Sequence, residues 1–370
     1  MEGVLIESLA LTHAQMGLLF STPYFVIAVA AIPGGILADR IGLRRATGIG
    51  TILIAIGSVL RAFVDSYQPL IIFTALYGVG FAFTFVNLPK LITAKITPDK
   101  HWIAMGIANT GMSVGGATAM GLTMSVIFPL TNSYSGTFLI WSIPTVVVAI
   151  LWWMLVKEPS DNVAKVAETP GYLWCSVLKN RKLWLLAGLM ALGEFFIMSW
   201  FAWYPLLLVS KGATFALSGI ITSLMIWVEI PTLLLMPRLS YRLGLKKPFL
   251  WVAAIFTVVA TVGVIYANLG LSWLPAVVCA IANCTRFIFI LSLPFDLVSK
   301  EQLGAASGII LSMGYLAGGI GPFLGGHIID ITGDLNSAFR VLIGIAVVAA
   351  VISFAVPETG HRHKSDRVTN

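Results

Sequence analysis

Gly35-Ile36-Leu37-Ala38-Asp39-Arg40-Ile41-Gly42-Leu43-Arg44-Arg45 separates two long apolar runs, and its second part returns as Arg242-Leu243-Gly244-Leu245-Lys246-Lys247, 202 residues later. Each residue type in the stretch has a physical use. Gly35 would let a neighbouring helix approach closely, as small residues do in membranes, and Gly42 suits a tight reversal of the chain. Asp39 can face the positive N-terminus of another helix, while Arg40 and Arg44 can bind carboxylates or the carbonyls at a helix C-terminus. A basic loop that served only to orient the chain would need neither Asp39 nor the two glycines.

The repeat extends beyond this stretch. Gly111, Gly115 and Gly116 match Gly314, Gly318 and Gly319 at an offset of 203, and Leu88-Pro89 matches Leu293-Pro294 at 205. Two halves in the same orientation are implied. We expect a first helix bundle over 1–156, a polar linker over 157–181, a second bundle over 182–357 and a tail over 358–370. The same offset places the partner of the apolar run at 182–209 mostly ahead of Met1. A plan of 6 + 6 helices is therefore expected to show 5 + 6, through a mis-assigned start or a truncation, with a true eleven-span chain as the alternative.

Around these repeats the composition decides the solvent. Hydrophobic residues make up 58% of the 370 and charged residues 11%, against roughly a quarter charged in soluble domains. A bilayer-spanning helix needs about 20 apolar residues. Eleven such stretches lie near 13–37, 44–64, 69–94, 102–129, 135–156, 182–209, 213–237, 248–267, 271–298, 303–330 and 337–356. Thr12-His13-Ala14-Gln15 reads as a capping box at the first of them. The fold class is an all-α membrane protein, and a secretory signal peptide is not expected in MEGVLIESLALTHAQMG.

The excess of Lys and Arg gives a formal charge of +7. These charges sit between apolar segments instead of forming a patch on a soluble face, so no nucleic-acid partner is expected. One set of alternate loops carries 18 Lys and Arg, and the other only Arg61, Lys211 and Arg340. Basic loops stay cytoplasmic, which places the C-terminus inside and residue 1 outside. Cys175, Cys279 and Cys284 show no metal-type spacing, so neither metal nor disulfide framework is expected.

Charges inside the spans cost about 2.5–3.5 kcal/mol each and face a cavity or a partner. Glu194, Glu229 and Arg286 lie near the centres of their spans, all in the second half. Arg286 can grip a carboxylate or small planar anion in two places, and Asn283 shares its face at i−3. The simpler reading pairs Arg286 with Glu194 or Glu229 to hold helices together. The aromatic run Trp200, Phe201, Trp203, Tyr204 reads as an interfacial belt, His327 with Asp330 as a surface pair, and Pro89 with Pro294 as matched kinks. The glycines at 111, 115, 116, 314, 318, 319, 321, 325 and 326 suit close helix packing. Lys90 is expected to snorkel, with a gate role as the alternative.

The stretch from Gly35 to Arg45 resembles the signature that follows the second helix of the major facilitator superfamily, Gly-x-Leu-Ala-Asp-Arg-x-Gly-Arg-Lys, with Leu43 at one basic position. The resemblance covers the chain apart from that first helix. It implies two six-helix bundles about a central cleft, a carrier and not an enzyme, no cofactor, and a monomer in the plasma or inner membrane. It implies that Gly35, Asp39, Arg40, Gly42 and Arg44 latch the cytoplasmic gate between the halves. Phe85-Val86-Asn87-Leu88-Pro89-Lys90, Ala104 to Gly111 and Gly314 to Pro322 look most like the cyanate permease and nitrate/nitrite porter branch. Asn87 and Asn109 in those segments join Arg286 and Asn283 as candidate substrate-binding residues. The membrane-centre arginines of nitrate porters are absent, which argues against nitrate, and Thr74 stands where the drug/proton antiporter signature has Arg. The expected function is secondary transport of a small polar, anionic solute, with protons as coupling ion through Glu194 and Glu229. Drug/proton efflux and a truncated, non-transporting protein are the alternatives.

Overall fold

The computed structural model describes residues 1–97, 100–158, 177–299 and 302–359; most of the expected linker and tail, with Cys175, lies outside the described residues. Among the described residues eleven helices are long and apolar enough to cross a membrane. They are α1 (His13–Ile41), α2 (Leu43–Leu60), α3 (Tyr67–Lys95), α4 (His101–Leu122), α5 (Tyr134–Leu155), α6 (Arg181–Ser210), α7 (Phe215–Leu243), α8 (Lys247–Tyr266), α9 (Trp273–Ser292), α10 (Leu303–Thr332) and α11 (Leu335–Ser353). In lipid a helix satisfies its own backbone, so long apolar runs have no other choice.

Local chemistry sets the ends. Thr12 Oγ1 accepts from Gln15 N at 3.1 Å and Gln15 Oε1 accepts from Thr12 N at 3.0 Å, the reciprocal box expected before α1. Gly42, at φ +96°, makes the reversal between α1 and α2, and Gly244 does the same after α7 at φ +71°. α1 and α7 run on to Ile41 and Leu243, so Asp39, Arg40, Arg238 and Arg242 belong to last helical turns. The proline pair is not matched: Pro89 stays inside α3, whereas Pro294 opens a separate short turn after α9.

The chain shuttles between two ends, which we call the His13 end and the Asp39 end. In the second half α6 is enclosed by its neighbours, and 61% of its most apolar window is buried. Trp200, Phe201, Trp203 and Tyr204 are all buried in this core, not spread at an interface. The Trp203 indole N–H donates to Pro322 O at 3.0 Å and the Tyr204 hydroxyl to Ser272 O at 2.6 Å. Trp203 and Tyr204 thus satisfy their polar ends inside the protein, whereas the buried Trp200 indole N–H has no partner among the described residues.

Glycines let α10 lie against α6: an added Cβ would come within 3.0 Å of Met190 at Gly314 and 2.4 Å of Phe195 O at Gly321. The repeat-related Gly111 and Gly115 on α4 would meet nothing within 4 Å. Close packing expected for them is therefore not present, because among the described residues no helix stands against α4 as α6 stands against α10. The flank is correspondingly open, with 17% of the α4 window and 11% of the α5 window buried. Gly35 is likewise not the close-contact glycine of α1. That place is taken by Gly34, where a Cβ would lie 2.7 Å from Phe83.

The halves touch at the His13 end. A Cβ at Gly17 of α1 would lie 2.3 Å from Pro322 O of α10, and one at Gly326 of α10 would lie 2.2 Å from His13 O. α4 meets α7 near the same end, where a Cβ at Gly219 would lie 2.9 Å from Met120 O. Toward the Asp39 end Gly304 and Gly308 face open space and Val29 and Ile32 are exposed. The cleft between the halves thus closes at one end and widens at the other.

Candidate functional site

Arg286 sits on α9 with only 7% of its surface exposed. Its Nη2 donates to Asn283 Oδ1 at 2.7 Å and to Glu194 Oε1 at 3.3 Å, and its Nη1 donates to Leu189 O at 3.2 Å. The i−3 spacing of Asn283 brings it to the same face, as expected. α6 makes room by a notch: a Cβ at Gly193 would lie 1.7 Å from Arg286 Cζ, so any larger residue would force the guanidinium to move. The sequence reading passed over Gly193; its position next to a mid-span acid was the available signal.

Glu194, 9% exposed, leans on α10 beside Gly314 and Gly318. Of the two expected partners for Arg286, the structure selects Glu194. Glu229, at the middle of α7, is partly exposed and its carboxylate makes no hydrogen bond among the described residues. Its backbone carbonyl accepts from Cys284 Sγ at 3.7 Å, which places it on the α9 side of its helix. A buried ion pair costs desolvation that its mutual attraction only partly returns, and removing one partner strands the other.

The other two asparagines are not brought to this cluster. Asn87 is fully buried; its amide donates to Phe83 O at 2.8 Å and Gly34 O at 3.3 Å, and its Oδ1 has no partner among the described residues. Asn109 is exposed on the open flank of α4. A crevice of about 510 Å³ lies between α7, α8 and α9, but it is walled by side chains such as Met236, Phe249 and Phe256 and does not include Arg286.

At the Asp39 end each half ties up its own motif. Asp39 pairs with Lys90 at 2.7 Å, and Lys90 also donates to Gly35 O at 3.3 Å, so Lys90 is a cluster member and does not snorkel. Arg44 donates from Nη2 to Trp153 O at 2.8 Å and lies over the Trp153 ring at 5.4 Å. Glu158 accepts from Arg44 N at 3.2 Å, and in the repeat Glu358 accepts from Lys246 N at 2.9 Å and Lys247 N at 3.0 Å. Arg40 is exposed and makes no hydrogen bond or ion pair among the described residues.

The His13 end carries a contact that the sequence did not reveal. Asp330 is bound across the cleft to α1, not to His327: its Oδ1 accepts from His13 N at 2.9 Å and lies 2.8 Å from His13 Nδ1, while Oδ2 accepts from Ala14 N at 2.8 Å. A carboxylate belongs at the positive start of a helix with free N–H groups.

Comparison with known proteins agrees with this architecture. The chain is 25% identical to the hexuronate transporter of Bacillus subtilis (strain 168), covering 96% of this chain and 89% of that one. It is 24% identical to the cyanate transport protein CynX of Escherichia coli (strain K12), covering 94% and 90%. Among solved structures, a bacterial homolog of the human lysosomal transporter Spinster, in an inward-facing and occupied conformation, matches with a TM-score of 0.81 at 18% identity, over 95% of this chain and 90% of that one. A family model described as Major Facilitator Superfamily matches residues 2–293 and 205–369, and with a helix bundle of this plan the chain belongs to that superfamily of membrane transporters.

Proposed function

We propose that the chain carries a small anionic solute by alternating access, coupled to a proton, with Arg286 as anion anchor and Glu194 as proton carrier. The observation that carries the reading is the bridge from Arg286 Nη2 to both Glu194 and Asn283, buried at mid-membrane. An incoming carboxylate can take the place of Glu194 on the guanidinium, since both are planar two-oxygen acceptors. The displaced Glu194, now unpaired in an apolar setting, takes up a proton. Anion and proton then occupy the site together, with Asn283 holding Arg286 in register. Glu229 offers a second carboxylate on the neighbouring helix. The relatives named for hexuronate and cyanate, both anions, support the charge of the solute.

The basic loops put the Asp39 end in the cytoplasm and the membrane is the plasma or inner one. The two bundles, 1–156 and 182–357, rock about the site with 157–181 as their link. In this conformation the cytoplasmic side is open, Asp39 and Arg44 are held within their own half, and exposed Arg40 is free to engage the second half when the gate shuts.

Uptake into proteoliposomes under an imposed pH gradient tests the reading. Arg286→Ala is expected to abolish uptake and binding of anions. Glu194→Gln is expected to keep binding but lose the acceleration by the gradient. Wild-type rates in Arg286→Ala would overturn the assignment.

A further inference from the structure

Tyr77, Phe81 and Phe85 follow one another at four-residue spacing on α3, so they stack on one helix face, one turn apart. Their rings are nearly parallel, at 15° and 14°, with centroids 6.5 and 5.7 Å apart. Other positions of α3 serve helix packing, Gly78 against Pro23 and Val26 of α1 and Gly80 against Gly50 of α2. At one end of the stripe Phe85 meets Tyr315 of α10, in the second half, edge-on at 6.2 Å and 87°, while Phe81 packs against the cluster of Ile27, Ala30 and Ala82 in the first half. Tyr315 follows Gly314, whose added Cβ would lie 3.1 Å from Glu194 Cγ. The stripe thus ends beside the turn of α10 that packs on Glu194, the acid that pairs with Arg286.

All four rings are partly exposed, and the hydroxyls of Tyr77 and Tyr315 make no hydrogen bond among the described residues. At its other end the stripe is closed by Arg61, whose Cζ lies 4.8 Å from the Tyr77 centroid and 5.2 Å from that of Phe138, with Nε buried and unpartnered. A polyhydroxylated acid would need, besides ring faces, a donor or acceptor for each hydroxyl that the cleft buries. Ring faces ending at a cation and two unspent phenols suit a different shape of solute.

We propose that the solute is an aromatic carboxylate, its ring lying on the Phe81–Phe85 stripe against Tyr315 and its carboxylate on Arg286, with a ring hydroxyl or similar substituent read by Tyr77 or Tyr315. This rests on the reading of Arg286 as the anion anchor. Ring stacking supplies selectivity, since aromatic pairs gain beyond their buried area, while the ion contact supplies affinity that any small anion shares.

The test is binding to the purified full chain by calorimetry, with benzoate, 4-hydroxybenzoate, glucuronate and cyanate as probes. Benzoate and 4-hydroxybenzoate are expected to bind at least about tenfold tighter than glucuronate or cyanate. Phe81→Leu and Phe85→Leu, which keep apolar volume, should each weaken benzoate about 3- to 10-fold and leave cyanate unchanged. Arg286→Ala should remove binding of all four. Equal or tighter binding of glucuronate or cyanate, or a uniform loss in the leucine variants, would overturn the aromatic assignment while the Arg286 anchor stands. Unchanged binding in Arg286→Ala, or no binding of any probe by the wild type, would overturn the anchor itself.

Discussion

Replacing Asp330 by Asn should loosen the closed end of the cleft. The Asp330 carboxylate, about a quarter exposed, receives the His13 and Ala14 backbone N–H groups and the His13 ring, and so ties the start of α1 to the end of α10. Charge-assisted hydrogen bonds contribute about 1.5–3 kcal/mol each when shielded. Partial exposure and screening reduce this, and Asn keeps one of the two acceptor oxygens. A loss of about 1–2 kcal/mol for the closed arrangement follows, which shifts the closed-to-open ratio about 5- to 30-fold. The contact is absent once the halves part at that end, so the whole loss falls on one conformer. Spin labels at Leu130 in the first half and Tyr266 in the second, both exposed near the His13 end, report the separation. Asp330→Asn should move population to the longer distance. A distance distribution identical to that of the unsubstituted protein would refute the latch and leave the close packing at Gly17, Gly326 and Gly219 to hold that end shut.

Other expectations follow from single contacts. Gly193→Ala places a methyl on the guanidinium of Arg286 and should abolish anion binding while the helix content by circular dichroism is kept; retained binding would show that Arg286 can leave its notch freely. Gly318→Leu, against Met198 and Glu194, should destabilise by about 2–4 kcal/mol in thermal unfolding, whereas Gly115→Leu, facing open space, should fall within about 0.5 kcal/mol of wild type. Lys211 donates its ammonium to Ile265 O at 3.1 Å and Ala267 O at 2.8 Å, satisfying carbonyls at the end of α8; Lys211→Met should cost about 1–2 kcal/mol in the same measurement.

How much of this could be read from residues alone follows from what the bilayer hides and what it exposes. The spans were legible because lipid demands unbroken apolar runs, and the starts of α1 and α6 fell within a residue of where the pattern put them. That Arg286 would pair with Glu194 or Glu229 was legible because a charge at mid-span has few partners, but only the structure selects Glu194. The partner of Asp330 was not, since it lies 317 residues away and only the fold brings α1 beside α10. Trp200 and Trp203 were misplaced for a deeper reason: an apolar helix face looks the same whether lipid or another helix covers it. The same degeneracy separates Gly314 from Gly111, alike in the repeat and opposite in surroundings. Likewise Tyr77, Phe81 and Phe85 carry a visible four-residue spacing, but only the fold brings Tyr315 of α10 edge-on to Phe85.

The open flank of α4 and α5 hands part of the structure to the lipid. The exposed Ile103, Ile107 and Met154 offer hydrocarbon an apolar surface there, and among the described residues nothing lies within 4 Å of a Cβ at Gly106, Gly111 or Gly115. Chain length and order in that annulus then set how stiffly the bundle tilts. Thicker or more ordered bilayers should stiffen it and slow the cycle, while the second bundle, sealed around α6, should stay indifferent to the same change.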